Sequence, residues 1–208
     1  MTEERQNYVR QTDLGNNGIL FYEKIKPLYN SKMVDLGVRY GVSSSIMLED
    51  SFIKNNYVYG VDVVNTVDPG VLNHSRYKLL VTDSITAAKN WSEGSIDVLF
   101  VDTLHIKEQV LNELYYWMPF VKENGLVVFH DTNWPQDKFD HYKGKYWDRP
   151  EEAVKAYFNT TDLNTENDFF TASHYPESWG MTFIQLKKKS DSFGKNVDWE
   201  TTHKFLTL

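Results

Sequence analysis

Ser31-Lys-Met-Val-Asp35-Leu-Gly37-Val-Arg-Tyr-Gly41-Val-Ser43-Ser-Ser45 reads as a short apolar strand that runs into a glycine-bearing turn and then into a helical pattern. A strand that delivers such a turn to a helix N-terminus lets the backbone approach a ligand closely and aims free N–H groups at it. The spacing narrows the ligand. A dinucleotide fingerprint needs G-x-G-x-x-G, whereas this stretch has Gly37 and Gly41 alone, preceded by Asp35. A P-loop ends in Gly-Lys-Ser/Thr, and here Gly41 is followed by Val42-Ser43 with no lysine to reach a phosphate. An acid at the strand end repels phosphates and suits a cationic or hydroxyl-bearing ligand.

Outward from this stretch, apolar runs alternate with helical patterns, which predicts repeated βα units and a mostly parallel sheet. Strands are expected near 32–36, 57–63, 78–82, 96–102, 125–130, 168–174 and 180–187, and helices near 18–29, 43–54, 84–91, 105–120 and 150–159. Leu111, Leu114 and Met118 share one face of the 105–120 helix, and Lys122-Glu-Asn-Gly125 is expected to close it before a return strand. The last two strands, joined by Tyr175-Pro-Glu-Ser-Trp-Gly180, suggest a terminal hairpin with one antiparallel strand. The expected fold class is α/β, a Rossmann-like seven-stranded mostly parallel sheet with helices on both faces. Residues 1–29 form an N-terminal helical segment. Residues 133–150 are too long and too aromatic for a simple connection, and Trp134, Tyr142, Tyr146 and Trp147 suit a lid that stacks on an acceptor.

At 208 residues the chain fits one domain. The absence of cysteine excludes disulfides, thiolate zinc sites and a cysteine nucleophile, and fits a reducing, cytoplasmic setting. No apolar run approaches a membrane span, and the first ten residues lack the core of a signal peptide. A net charge of -7 argues against a broad grip on nucleic acid. Small-molecule or glycan acceptors are the expected partners, and a homo-oligomer is left open. Most of the 6 Trp, 13 Tyr and 12 Phe are read as ordinary packing.

In an open α/β sheet, ligands bind outside the C-terminal strand ends. Acids recur there. Asp35 follows the first strand. Asp62 ends Tyr57-Val-Tyr-Gly-Val-Asp62, 21 residues beyond Gly41, where it could accept both ribose hydroxyls. Asp83-Ser84 ends the third strand, suited either to an adenine amino group or to a helix N-cap. Ile96-Asp-Val-Leu-Phe-Val-Asp102-Thr-Leu-His105 and Leu126-Val-Val-Phe-His130-Asp131-Thr132-Asn133 add two more ends rich in polar groups. Acids after neighbouring strands can converge on one ion, and hard oxygen ligands suit Mg²⁺, Mn²⁺ or Ca²⁺. The plainer alternative is that Asp102 caps a helix and Asp131 opens a turn.

Asp35-x-Gly37-x-x-x-Gly41-x-Ser43 resembles the first motif of class I S-adenosylmethionine-dependent methyltransferases, whose cofactor carries an ammonium and a sulfonium. Val-Asp102-Thr-Leu-His105, the helix ending in Trp117-Met-Pro-Phe-Val-Lys-Glu-Asn-Gly125, and Val-Val-Phe-His130-Asp131-Thr132 extend the likeness. Together they resemble the family that includes macrocin-type sugar O-methyltransferases and cephalosporin-hydroxylase-like proteins, from about residue 30 to residue 133. The resemblance implies S-adenosylmethionine bound by Asp35, Gly37, Gly41, Ser43, Asp62, Asp83, Ser84 and Asp102, and a divalent metal, Mg²⁺ in the first instance. In the related catechol-type enzymes the acid after the fourth strand and an Asp-Asn pair after the fifth hold the metal. Asp102 and Asp131 match the two acids, while Thr132 stands where the Asn would be. In cephalosporin-hydroxylase-like relatives an acid precedes that Asp, and His130 stands there. The third ligand is therefore open among His130, Thr132, Asn133 and water. The catechol-type catalytic lysine corresponds by position to His105.

The expected reaction is O-methyl transfer by direct displacement, with His105 or Asp102 removing the proton. A helix-start histidine facing solvent is the alternative for His105. Two other functions remain from the sequence: an S-adenosylmethionine-binding accessory protein without transfer activity, kept alive by Thr132, and a nucleotide-sugar or dinucleotide enzyme, disfavoured by the missing third glycine.

Overall fold

The computed structural model describes residues 1–133 and 147–207. Of the lid expected at 133–150, residues 134–146, with Trp134, Tyr142 and Tyr146, lie outside the described residues, while Trp147 and Asp148 form a short strand and Pro150 begins a helix.

Elements follow the order α1 (Glu3–Arg10), α2 (Gly15–Ile25), β1 (Lys32–Leu36), α3 (Val42–Met47), α4 (Ser51–Lys54), β2 (Tyr57–Asp62), α5 (Pro69–Leu72) and β3 (Tyr77–Val81). They continue with α6 (Ser84–Lys89), β4 (Ile96–Val101), β5 (His105–Ile106), α7 (Lys107–Trp117), β6 (Val121–His130), β7 (Trp147–Asp148) and α8 (Pro150–Phe158). The last are β8 (Thr165–Glu166), β9 (Phe170–Tyr175), β10 (Met181–Leu186) and α9 (Trp199–Lys204).

The main sheet has eight strands in the order β3-β2-β1-β4-β6-β10-β9-β8. The first five are parallel, and β10 enters antiparallel to both β6 and β9. This is the expected Rossmann-like sheet with its terminal hairpin, extended at the edge by β8, a two-residue strand too short to carry a period of its own. Strand order reverses between β1 and β4, so the crevice above them is where such a sheet takes ligands.

Alternation along the strands feeds two cores. Val34, Leu36, Leu99, Val101, Val127 and Phe129 point to the face covered by α6, α7 and α8. Met33, Val98, Phe100, Leu126 and Val128 point to the face covered by α1, α2 and α3. Helices therefore lie on both faces. Each large side chain buried this way stabilises by roughly 1.5–3 kcal/mol. Trp117 is fully buried and its indole N–H donates to the Ser84 carbonyl at 3.0 Å, which fixes α7 against the start of α6.

Helix boundaries differ from the sequence expectation at several points, and the helix expected at 18–29 runs Gly15–Ile25. The 43–54 helix splits because Asp50 takes a left-handed conformation (φ 61), its carboxylate accepting from the Tyr22 hydroxyl at 2.8 Å. The 105–120 helix starts two residues late, since His105 and Ile106 are extended and pair with Trp147 and Asp148. It also ends early, at Trp117: Met118 is still helical and donates to the Leu114 carbonyl, but Pro119 has no N–H with which to continue the ladder. Lys122–Gly125 accordingly lies within β6, where the register against β4 is irregular, rather than in a helix cap. Among the described residues, no helix is long and apolar enough to cross a membrane.

Candidate active site

The turn after β1 is built around two glycines. Gly37 has φ 85, and a Cβ there would lie 2.0 Å from the Asp102 carbonyl oxygen, so the β1 turn is pressed against the end of β4. Gly41 (φ 87) is the residue from which α3 starts. Asp35 sits beneath this turn rather than on its surface. It is fully buried, and its Oδ2 accepts from Ser43 Oγ at 2.7 Å and Ser44 Oγ at 2.5 Å, tying the first turn of α3 to β1. Burial pushes its carboxyl up to about 7 against the pull of those two hydroxyls. The sequence expectation that Asp35 faces a cation directly is thus corrected: its carboxylate lies beneath the first turn of α3 and does not border the cavity, whereas Ser43, one of its two donors, does.

Two cavities flank Gly37. The larger, of about 570 Å³, is bounded by Gly37, Val38, Ser43, Asp102, His105 and Asp131, and on its outer side by Tyr8, Thr12, Asp13 and Leu14. The smaller, of about 410 Å³, is bounded by Asp62, Asp83, Ser84, Thr103, Leu104 and Gln109. Gly37, Arg39, Asp102 and Thr103 border both, which makes one trench along the C-terminal strand ends. Asp62 accepts from the Arg39 N–H at 2.8 Å and the Val64 N–H at 3.1 Å, so it holds the turn after β1 while bordering the smaller cavity. Asp83 caps α6, its Oδ1 accepting from the Thr86 N–H at 2.8 Å. The N-cap alternative therefore describes one of its oxygens, although the residue also borders the cavity.

At the floor of the larger cavity, His105 Nε2 lies 3.0 Å from Asp102 Oδ1 and 2.9 Å from Asp131 Oδ2. His130 is buried behind them, its Nδ1 at 3.4 Å from Asp102 Oδ1 and 3.5 Å from Asp131 Oδ1. Burial would raise the Asp102 carboxyl, but the charge of His130 and the hydrogen bond from His105 hold it well below the usual carboxylate range. Burial would lower the His105 imidazole, and the two carboxylates outweigh it and lift it to about 9. His130 is likewise raised, chiefly by the charge of Asp102 acting against burial. The cluster demands positive charge between two carboxylates.

Asp102, His105 and Asp131 each offer one ligand atom, all within 4.8 Å of one another. The four-residue ligand set named from the sequence is not assembled as such. Asp131 has φ 61, which breaks the strand alternation and turns Thr132 back toward β10, where its hydroxyl lies 2.8 Å from Thr182 Oγ1 and 3.4 Å from His174 Nδ1. Left-handed backbone at a residue other than glycine costs about 1–3 kcal/mol and clusters at functional sites. Thr132 is thereby drawn out of the cluster, and Asn133 donates to the Pro176 carbonyl at 2.9 Å.

The sequence reading missed the outer wall, Tyr8 to Leu14, because α1 buries only Val9 and shows no apolar stripe. Its one signal is the cap: Thr2 followed by Glu3 and Glu4 is an N-terminal pattern. It missed Arg39 as well, which borders both cavities with φ 50 and lies 3.4 Å from Asp13.

Residues 34–132 match the model of a family described as a methyltransferase domain. The matched stretch runs from within β1 to the residues just past β6, and so takes in every strand end on which the resemblance to methyltransferases rests. No curated protein matches the chain. Among solved structures, the SAH-bound methyltransferase PaMTH1 of Podospora anserina aligns over 90% of this chain and 89% of its own at 13% identity, with a TM-score of 0.61. MycE, a methyltransferase of the mycinamycin biosynthetic pathway solved with Mg, SAH and mycinamycin VI, aligns over 86% of this chain and 50% of its own at 16% identity, with a TM-score of 0.55. At these identities both likenesses concern the fold.

Proposed function

We propose that the protein transfers a methyl group from S-adenosylmethionine to a hydroxyl oxygen of a small molecule or sugar, with a divalent cation, Mg²⁺ in the first instance, between Asp102 and Asp131. The observation that carries this reading is the convergence of two carboxylates and one imidazole at 2.9–3.0 Å on the floor of the larger cavity, beside the Gly37 turn. MycE, whose structure holds Mg, SAH and mycinamycin VI, supports it by analogy of fold.

The smaller cavity suits the adenosine end of the cofactor, with Asp62 facing the ribose and Asp83 and Ser84 the base. The larger suits the methionine end and the acceptor together. Gly37 and Gly41 let the backbone approach, Ser43 presents a hydroxyl, and Asp35 acts from below by fixing Ser43 and Ser44. Hard oxygen donors favour Asp102 and Asp131 as the cation's protein ligands. When bound, the cation would lower the pKa of the acceptor hydroxyl and orient it. His130, behind both carboxylates, steadies them. His105, held as an imidazolium by the same two acids, would be free to take the hydroxyl proton once a cation supplies the charge between them. S-adenosylmethionine, when bound, would supply the methyl group, the oxygen–carbon bond forming as the carbon–sulfur bond breaks. Positioning supplies most of the acceleration.

His105→Ala tests the assignment. Methyl transfer at saturating cation should fall by roughly 10²–10⁴-fold while calorimetric Mn²⁺ affinity stays within about threefold. An unchanged rate removes His105 from the mechanism, and a parallel loss of Mn²⁺ affinity makes it a ligand instead.

A further inference from the structure

Behind the wall of the smaller cavity lies a carboxylate that the chemistry above does not use. Glu113, on α7, is fully buried. Its Oε1 accepts from Ser84 Oγ at 2.6 Å, Thr103 Oγ1 at 2.7 Å and Gln109 Nε2 at 2.9 Å. These donors come from the start of α6, the turn after β4 and α7, and all three border the cavity. The other oxygen, Oε2, is buried with no hydrogen-bond partner among the described residues. Glu113 shares its helix face with Val110, Leu114 and Trp117, all core residues, so packing alone would favour an apolar side chain.

A hydroxyl has one proton and turns to suit its partners. Since Glu113 Oε1 receives, the protons of Ser84 and Thr103 are spent on it, facing away from the cavity. Ser84 Oγ also accepts from Gln109 Nε2 at 3.2 Å, so the amide's donors are likewise directed at Ser84 and Glu113. What these side chains leave for a ligand is lone pairs, and Asp83 beside them adds a carboxylate. A wall of acceptors matches an exocyclic amino group and opposes a carbonyl at the same place, where two acceptors would meet with neither satisfied.

We propose that Glu113 is a positioning residue that sets the hydrogen-bond polarity of the base pocket to acceptor and thereby selects a 6-amino purine over its 6-oxo counterpart. The proposal rests on reading the smaller cavity as the adenosine site. The test is calorimetric titration of the full chain with S-adenosylhomocysteine and with S-inosylhomocysteine, in wild type, Glu113→Gln and Thr103→Val. Wild type should prefer the amino compound by about tenfold or more, since the oxo compound leaves buried polar groups unpaired. Glu113→Gln keeps the volume but brings an amide N–H that can donate to one hydroxyl and reverse it, so the preference should narrow to about threefold or less. Thr103→Val deletes one turned hydroxyl with Glu113 in place and should narrow it too. A wild-type preference near unity, or a Thr103→Val ratio equal to wild type, overturns the proposal, the second even where Glu113→Gln does not fold. A wild-type chain that binds neither compound overturns the adenosine reading itself, and this inference with it.

Discussion

Asp131→Asn should reduce cation-dependent methyl transfer by about a thousandfold, while leaving the fold as stable as wild type or more so. The two halves of this expectation have separate causes. Asp131 Oδ2 lies 2.9 Å from His105, and its Oδ1 is buried with no partner that meets hydrogen-bond geometry among the described residues. Replacing the carboxylate by an amide removes one of the two negative charges that converge there and puts an N–H donor where a cation would need an acceptor. Losing one preorganised electrostatic contact of this kind typically costs about 10²–10³-fold, and losing the orientation of the base adds to it. The backbone, however, is left-handed at this position (φ 61), a region that Asn tolerates at least as well as Asp. Initial rates with S-adenosylmethionine over a Mg²⁺ series, alongside thermal unfolding, measure both. A variant that transfers methyl groups at the wild-type rate would show that Asp131 has no part in the chemistry. One that loses activity only because it unfolds would make Asp131 a structural residue.

Gly37→Ala should be more damaging to the molecule as a whole. The new Cβ would stand 2.0 Å from the Asp102 carbonyl oxygen and 2.5 Å from its carbonyl carbon, both backbone atoms that cannot swing aside, and φ 85 is a conformation that alanine adopts at a cost. Strain of this kind amounts to about 1–3 kcal/mol for the backbone conformation alone. In a chain of this size each kcal/mol lowers Tm by about 2–4 °C. The clash can be relieved only by parting β1 from β4, the two strands whose ends frame both cavities. Cofactor affinity should therefore fall by about a hundredfold or more even where the chain still folds, which calorimetry with S-adenosylhomocysteine would measure. Wild-type affinity in Gly37→Ala would mean that the turn does not approach the ligand.

Much of this was legible in the sequence because it depends on local rules. β1 opens on a charged residue and is followed by a glycine, and its apolar residues alternate between two buried faces, so Lys32–Leu36 could be placed to the residue. Asp62, Asp83, Asp102 and Asp131 stand at or just beyond strand ends, and a parallel sheet carries all such ends to one edge. What the sequence did not disclose depends on partners far along the chain. His105 looks like a helix residue, yet it is extended because Trp147 pairs with it. Thr132 looks like a ligand, and it turns away because Thr182, fifty residues on, offers its hydroxyl a partner. Asp35 looks like an acid facing the ligand, but the hydroxyls of Ser43 and Ser44 hold it inside. Glu113 is a middle case. Its spacing from Val110, Leu114 and Trp117 sets a carboxylate on an apolar stripe, which marks it as unusual without naming Ser84 or Thr103 as its partners.

The most direct measurement is a crystal structure of the wild-type chain soaked with S-adenosylhomocysteine and Mn²⁺. The account predicts anomalous density between Asp102 and Asp131, the homocysteine end in the cavity beside Gly37 and the base in the cavity bounded by Asp83 and Ser84. Cofactor bound with no anomalous signal between the two carboxylates would contradict the metal-assisted mechanism, and an empty trench at saturating S-adenosylhomocysteine would contradict the site itself.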